Sequence, residues 1–265
     1  ATAMHRRTEY VFSPPVIYPA LAHARAVRGD LEGAGDALAR LEALGHRAGP
    51  YRRSLQRLGH LLSGDELDPT PAVDRPVTAL TLASVARLAA TAELRVELGD
   101  TSALPTAAER LDRFLAAGLT LAPGWPYFLP RIRAQVACAL DEHDAEELLA
   151  SAEHLARRER LEFELVELEL TRSRRATDTA AAADRAADAL RRADRAGLLT
   201  GVAAAQRRLR ELGAPTREPM ARAVLNTDIV AHTDLVRSLG DETWLSVLDE
   251  HDRLVRSFVR RHGGV

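Results

Sequence analysis

Hydrophobic residues recur at intervals of three and four along most of the chain before residue 213, with charged residues between them. This spacing places the apolar side chains on one face of an α-helix and predicts a series of amphipathic helices. The pattern is clearest on either side of Gly29 and Asp30. Leu21, Ala24 and Ala26 precede this pair, and Leu31, Ala34, Ala37, Leu38 and Leu41 follow it. We therefore predict a helical hairpin here, in which small alanines allow the two helices to pack closely.

The same periodicity predicts a longer run of helices after this hairpin. The predicted ranges are about 77–98, 104–117, 127–141, 144–158, 160–174, 178–196 and 199–212. Short connections between these ranges favour an antiparallel arrangement of neighbouring helices.

Three Gly-Asp pairs lie 35 residues apart, at Gly29, Gly64 and Gly99. Glycine closes a helix readily in a left-handed conformation, and aspartate accepts hydrogen bonds from the free N–H groups of the next helix. The interval is close to the roughly 34-residue period of tetratricopeptide repeats. The segment "RGDLEGAGDALARLEAL", which begins at Arg28, resembles that family. The resemblance implies a concave surface for a protein partner, although an array of this kind can also act only as a spacer.

Composition favours the same fold class, because Ala, Leu, Arg and Glu fill most of the chain and are strong helix formers. Aromatic residues make up only 4%, and β-branched clusters are scarce before residue 220. We predict a mostly α protein whose residues 1–212 form an antiparallel array of helical hairpins. The segment "GAPTREP" then interrupts the periodicity and predicts a linker at 213–220.

Charge and cysteine content exclude several classes of protein. The formal net charge is −2, and no basic stretch is interleaved with aromatic residues, so we expect no nucleic-acid partner. The single cysteine, Cys138, predicts neither a disulfide framework nor a thiolate zinc site. Without a signal peptide or a long apolar stretch, we expect a cytoplasmic protein with no membrane partner.

Residues 221–265 follow a different pattern. Ala223, Val224 and Leu225 predict a short strand, which a turn and an amphipathic helix follow. Gly240 and Asp241 then end that helix and begin another. Apolar positions on this second helix recur every three or four residues, which predicts that it packs against a sheet; they are Trp244, Leu245, Leu248, His251, Val255, Phe258 and Val259.

The segment "VLNTDIVAHTDLVRSLGDETWLSVLDEHDRLVRSFVRRHGG" resembles the start of class III adenylate and guanylate cyclase catalytic domains. The usual family form is VLFTDIVGST, a Leu-Gly-Asp turn, a Trp, a helix with His-Asp, and a terminal Gly-Gly. The similarity covers residues 224–265. It implies a truncated α+β domain at 221–265, with one strand and two helices of the complete fold.

The resemblance also implies a site. Asp228 corresponds to one of two metal-bridging aspartates, and the main-chain carbonyl of Ile229 is expected to bind a metal. The triphosphate would lie against a loop that leads into a helix start, formed by Ile229, Val230, Ala231, His232 and Thr233. The implied cofactors are two Mg²⁺ or Mn²⁺ ions, the implied substrate is ATP or GTP, and the implied assembly is a homodimer.

Two features keep an alternative open. Asn226, Ala231 and His232 replace the usual Phe, Gly and small Ser of the family loop. Asp228 and Thr233 also suit a simple turn and helix cap. The alternative is therefore a non-catalytic interaction scaffold that retains a cyclase-like segment.

The second metal aspartate of the family normally follows the Gly-Gly, at a position beyond Gly263 and Gly264. We therefore expect the chain to be part of a signalling cyclase whose catalytic domain continues. Since the sequence also begins at Ala1 without an initiator methionine, we expect a fragment at both ends. We also expect residues 1–265 alone to lack cyclase activity.

Overall fold

The computed structural model describes residues 14–64, 67, 82–122, 127–215 and 238–261. The chain divides into two compact units, residues 1–217 and residues 218–265. The division falls within the stretch 213–220 that the sequence predicts as a linker. Each unit is described by itself below.

The first unit is built almost entirely of helices, as the composition predicts. In chain order they are α1 (Pro14–Ala26), α2 (Leu31–Ala43), α3 (Gly49–Ser63), α4 (Leu82–Leu98), α5 (Leu104–Ala116), α6 (Leu129–Ala139), α7 (Ala145–Arg158), α8 (Glu162–Arg175), α9 (Thr179–Ala196) and α10 (Leu199–Glu211). From α4 to α10, every helix lies within its predicted range to within two residues, except that the predicted start of α4 at 77–81 lies outside the described residues.

Two short strands connect α5 to α6. Strands β1 (Leu121–Ala122) and β2 (Tyr127–Phe128) pair antiparallel, with Leu121 opposite Phe128. The Tyr127 hydroxyl lies 2.8 Å from Ser54 Oγ and donates a hydrogen bond to the Pro50 carbonyl at 3.2 Å, which joins β2 to α3. No described helix is both long enough and apolar enough to cross a lipid bilayer.

The Gly-Asp turns form left-handed helix ends, as their residue types predict. Gly29, Gly64 and Gly99 have φ values of +88°, +80° and +68°. The Asp30 carboxylate accepts a hydrogen bond from Gly33 N at 2.8 Å and so caps α2. Asp100 instead accepts from the Ser102 N–H and hydroxyl, so its turn precedes α5 without capping it.

The first hairpin packs through a different face of α1 than the sequence pattern predicts. Ala22, His23 and Ala26 are buried, whereas Leu21 is 38% exposed and Ala24 is exposed. The prediction for Leu21 and Ala24 is therefore wrong. The cause is visible in the packing of α1, because it contacts both α2 and α3 and its buried face is the one between them. On α2 the predicted positions Ala34, Ala37, Leu38 and Leu41 are all buried.

Contacts between helices far apart in sequence hold the first unit together. Helix α10 packs on α3, α4 packs on α6, and α6 packs on α8. Arg207 of α10 donates hydrogen bonds to the carbonyls of His60 and Leu61 at the end of α3, at 2.9 and 3.0 Å. In an open solenoid each repeat contacts only its neighbours. Here the last helix closes onto the third.

Helix α8 is buried over most of its length. Nine of its residues are buried, and they are distributed all around the helix: Glu164, Leu165, Val166, Glu167, Leu168, Leu170, Thr171, Arg172 and Ser173. A helix that is buried on every side has no solvent-facing stripe for its polar residues. Its charged side chains must therefore find partners inside the protein.

The described part of the second unit is helix α11 (Asp241–Arg261), preceded by helical residues 238–239 and by Gly240 with φ of +75°. The Trp244 N–H donates to the Gly240 carbonyl at 3.0 Å, as expected for the first turn of a helix. The predicted strand at 223–225 and the helix containing Leu235 and Val236 lie outside the described residues.

Candidate functional site

The residues predicted to bind metal and triphosphate, Asp228, Ile229, Val230, Ala231, His232 and Thr233, lie outside the described residues. The metal pair and the phosphate loop therefore stay predictions. In the ranges 14–64, 82–122, 127–215 and 238–261, no group of three or more His, Cys, Asp or Glu side chains is arranged to hold a metal ion.

Helix α11 follows this segment and has a wide apolar face. Its centre is half-buried and consists of Trp244, Leu248, His251, Val255 and Val259, which recur at helical spacing. Apolar side chains at the margins are exposed, with Leu245 at 61%, Leu254 at 58% and Phe258 at 62%. Exposed large apolar side chains on one helix suit a contact with another surface.

Charged side chains lie opposite the apolar face of α11 and also at its margin. Glu250 accepts two hydrogen bonds from Arg253, and Asp252 accepts one from Arg256 at 2.7 Å. These pairs are exposed, and ion pairs of this kind contribute little to stability. Their effect is to keep this side of the helix in water, so that the apolar side is the one available for packing.

In the first unit, buried arginine and glutamate side chains form an ion network between α3, α4, α6 and α8. Arg131 of α6 lies at its centre and is only 1% exposed. Its guanidinium donates to Glu93 at 2.5 Å, to Gln135 Oε1 at 2.7 Å, and to Glu164. One side chain thus joins α4, α6 and α8.

Arg57 of α3 supplies the second buried guanidinium. It donates a hydrogen bond to Glu167 and lies 3.5 Å from Glu97 and 3.9 Å from Glu93. The Glu97 carboxylate also lies 3.5 Å from the partly exposed Arg174. Four carboxylates therefore share two fully buried guanidiniums and one that reaches solvent.

This imbalance separates the pKa values of two neighbouring carboxyl groups. Burial raises the pKa of Glu164 to about 7, because the nearby Glu93 and Glu167 add to the cost of its charge and Arg131 only partly offsets it. Burial acts in the same direction on Glu167, but the charges of Arg57 and Arg131 outweigh it and lower the pKa to about 2. Near neutral pH, the Glu164 carboxyl can therefore hold a proton.

A small cavity beside the network connects it to α1. Its lining includes His23, Ser54, Arg57 and Phe163, and it has a volume of about 10 Å³, enough for about one water. Burial, followed by the charge of Arg131, lowers the pKa of His23 to about 3. The neutral imidazole packs edge-on against Phe163, with ring centroids 5.1 Å apart. The cavity is too small for an organic ligand.

A larger groove of about 280 Å³ lies between α4, α6 and α8. Its polar groups already bond to each other or to neighbouring residues: Gln135 donates to Thr171 at 3.1 Å, Arg174 pairs with Glu97, and Arg175 lies 3.8 Å from Asp141. Burial raises the pKa of the Cys138 thiol at its edge. This groove is an extension of the ion network and exposes few groups that lack a partner.

The sequence-based predictions do not include this ion network. A signal for it exists, since Glu93 and Glu97 lie four residues apart within the alanine- and leucine-rich α4, as do Arg131 and Gln135 in α6. Polar pairs at that spacing share one face of a helix. Which face is buried depends on the tertiary packing.

Searches against models of protein families, against curated proteins and against solved structures each find no match to this chain.

Proposed function

We propose that residues 224–265 begin a class III nucleotidyl cyclase domain and that the helical unit before them regulates it in a cytoplasmic signalling protein. The observation that carries the proposal is the ordered similarity over this segment, from Thr227-Asp228-Ile229-Val230 to Gly263-Gly264. Two described features support it. Gly240 forms a left-handed turn before α11, and α11 has the wide apolar face that a helix packed on a sheet requires.

In this proposal Asp228 and the Ile229 carbonyl hold divalent metal. Both are hard oxygen donors, which Mg²⁺ and Mn²⁺ prefer, so the donor set fits the ions that the family uses. Bound metals would supply positive charge at the α-phosphate of ATP or GTP, where the ribose 3′-hydroxyl loses its proton and displaces pyrophosphate. Residues 229–233 would hold the β- and γ-phosphates through main-chain N–H groups at a helix start.

A second candidate function is a non-catalytic interaction scaffold. It is favoured by Asn226, Ala231 and His232, which depart from the family loop, and by the exposed Leu245, Leu254 and Phe258. A side chain at position 231 in place of Gly hinders close approach of the backbone to a phosphate. Under this alternative the apolar face of α11 serves dimerisation or binding of a protein partner, and the helical array retains its tetratricopeptide-like role.

The full-length product of the gene distinguishes the two functions. We expect it to convert ATP, or else GTP, to a cyclic nucleotide with Mn²⁺ or Mg²⁺, and Asp228→Ala to abolish this conversion because a metal ligand is lost. Asp249→Ala is the matched control, since Asp249 is an exposed carboxylate on α11.

Undiminished turnover in Asp228→Ala would refute the metal assignment. A full-length protein without turnover for either nucleotide, but with an intact dimer that Phe258→Asp disrupts, would favour the scaffold. The coding sequence after Gly263-Gly264 gives an independent check, because the second metal-binding aspartate of the family normally lies there, in a Gly-Asp hairpin.

A further inference from the structure

A second groove, with a volume of about 420 Å³, lies at the start of α3, between the α2–α3 loop and α4. Its lining includes three arginines from three different elements. Arg47 comes from the loop, Arg53 from the first turns of α3, and Arg87 from α4. Arg53 donates to Thr91 Oγ1 at 3.4 Å, and Thr91 lies one turn after Arg87, so α3 and α4 bring these side chains to one place. We call this the arginine groove.

The charges in the arginine groove are not balanced by the described residues. No carboxylate among those residues pairs with Arg47, Arg53 or Arg87. Glu42 also lines the groove, but Arg52 already holds both of its oxygens, at 2.9 and 2.6 Å. The pKa of Glu42 is lowered by this hydrogen-bonded pair. The groove therefore carries an excess of about three positive charges within a chain whose formal net charge is −2.

The start of α3 adds to this positive potential. Ala48 occupies the N-cap position, and no side chain caps the first turn. Ser, Thr, Asp or Asn usually fill this position and satisfy the free N–H groups. An uncapped helix start carries partial positive charge toward the adjacent groove. This partial charge adds to the positive potential in the groove, most of which comes from the three arginines.

We propose that the arginine groove binds a small anion that bears phosphate. Arginine presents a planar fork of donors that matches phosphate oxygens. Three such forks line this groove, and among the described residues only the Thr91 hydroxyl accepts a hydrogen bond from one of them, Arg53. The volume is within the range of pockets for small molecules and exceeds what a single inorganic phosphate needs. A phosphorylated metabolite or nucleotide of two or more negative charges fits both the charge and the size.

The shape of the groove favours a small ligand over nucleic acid. The three arginines come from a loop and two helices and do not form a stripe along one helix, and the only aromatic ring among the described lining residues is the imidazole of His46. Proteins that bind single strands combine basic tracks with aromatic stacking platforms. The site lies in the first unit and involves none of residues 224–265, so it does not depend on the proposed cyclase function.

Isothermal titration of the full chain with inorganic phosphate, pyrophosphate and AMP, in EDTA to exclude metal-dependent binding, tests the proposal. We expect saturable binding of at least one probe. Arg47→Gln combined with Arg87→Gln should weaken it about tenfold or more, because charge-assisted hydrogen bonds to the anion are lost. The matched control is Arg28→Gln with Arg40→Gln, which removes the same charge from exposed positions outside the groove. It should change the affinity by less than about twofold.

Absence of saturable binding of all three probes would overturn the proposal. Equal weakening in the two double variants would also overturn it, since the effect would then come from net charge and not from the groove. Circular dichroism and thermal unfolding of each variant verify that the fold is retained. A cyclase assay of the full-length protein addresses the other proposal separately, because its outcome depends on Asp228.

Discussion

Arg53 and Arg57 lie one turn apart on α3, yet they occupy opposite environments. Arg57 is 4% exposed and sits among Glu93, Glu97 and Glu167 in the buried ion network. Among the described residues, Arg53 bonds to the Thr91 hydroxyl and to no carboxylate, and it lines the arginine groove. The difference shows that arginine content alone does not reveal a role. The number of described carboxylates that each guanidinium meets distinguishes Arg57, which joins helices, from Arg53, for which we propose an external anion.

The largest effect should come from breaking the network at its centre. Arg131→Met removes the partner of Glu93 and Glu164 while both remain buried, and such losses cost about 3–5 kcal/mol. Urea unfolding followed by circular dichroism measures the change. Arg52→Met is the comparison, because Arg52 pairs with Glu42 in good geometry but is exposed, and should cost no more than about 1 kcal/mol.

Adding Glu164→Gln to Arg131→Met should recover part of the loss, since one uncompensated carboxyl group is removed. This second variant keeps the prediction testable if the single variant does not fold. An Arg131→Met protein as stable as Arg52→Met would show that the network contributes nothing to holding α4, α6 and α8 together.

The pH dependence of stability should show two opposing contributions in the network. The pKa of Glu164 rises from 4.5 to about 7 on folding, so the folded state binds the extra proton and its contribution to stability falls as pH rises from about 4.5 to 7. The pKa of His23 falls from 6.5 to about 3, so its contribution rises with pH between about 3 and 6.5. Between pH 4.5 and 6.5 the two contributions oppose each other.

Single variants should separate these contributions. Relative to the wild-type protein, Glu164→Gln should make the slope of the free energy of unfolding against pH more positive, because a contribution that falls with pH is removed. His23→Gln should make this slope more negative, because a contribution that rises with pH is removed. Each change should be about 1.4 kcal/mol per pH unit at most. Urea titrations at pH 4.5, 5.5 and 6.5 measure the slopes. Unchanged slopes in both variants would contradict the pKa values of this network.

The helices could be predicted from sequence because their periodicity is local, and the ends of α4 to α10 follow from glycines, prolines and aspartates near them. Neither the buried face of α1 nor the ion network could be predicted in this way. Ala22 and Ala24 are the same residue type at neighbouring positions, and only the contacts of α1 with α2 and α3 decide that Ala22 is buried. Likewise, Arg131 and Arg110 both lie in amphipathic sequence, and only the position of α6 at the centre of the unit buries Arg131.

The two candidate sites also differ in whether the sequence alone could predict them. The metal and phosphate residues at 228–233 could be predicted because a linear motif resembles a family, and their geometry lies outside the described residues. The arginine groove has no linear motif, since Arg47, Arg53 and Arg87 come from a loop and two helices. Its existence follows only from how α3 and α4 pack.

The smallest effect on stability should come from the arginine groove itself, which completes the comparison with the network. Arg47 and Arg87 form no ion pair or hydrogen bond with a side chain of the described residues, so replacing both with Gln should change the free energy of unfolding by less than about 0.5 kcal/mol. A slight gain is expected at low salt, where repulsion between guanidiniums is least screened, and it should vanish at about 1 M salt as the Debye length shortens. Urea unfolding at both salt concentrations measures this, with Arg28→Gln and Arg40→Gln as the control. A loss of several kcal/mol would mean that these arginines hold α3 and α4 together, as Arg57 does, and would remove the distinction between the arginine groove and the ion network.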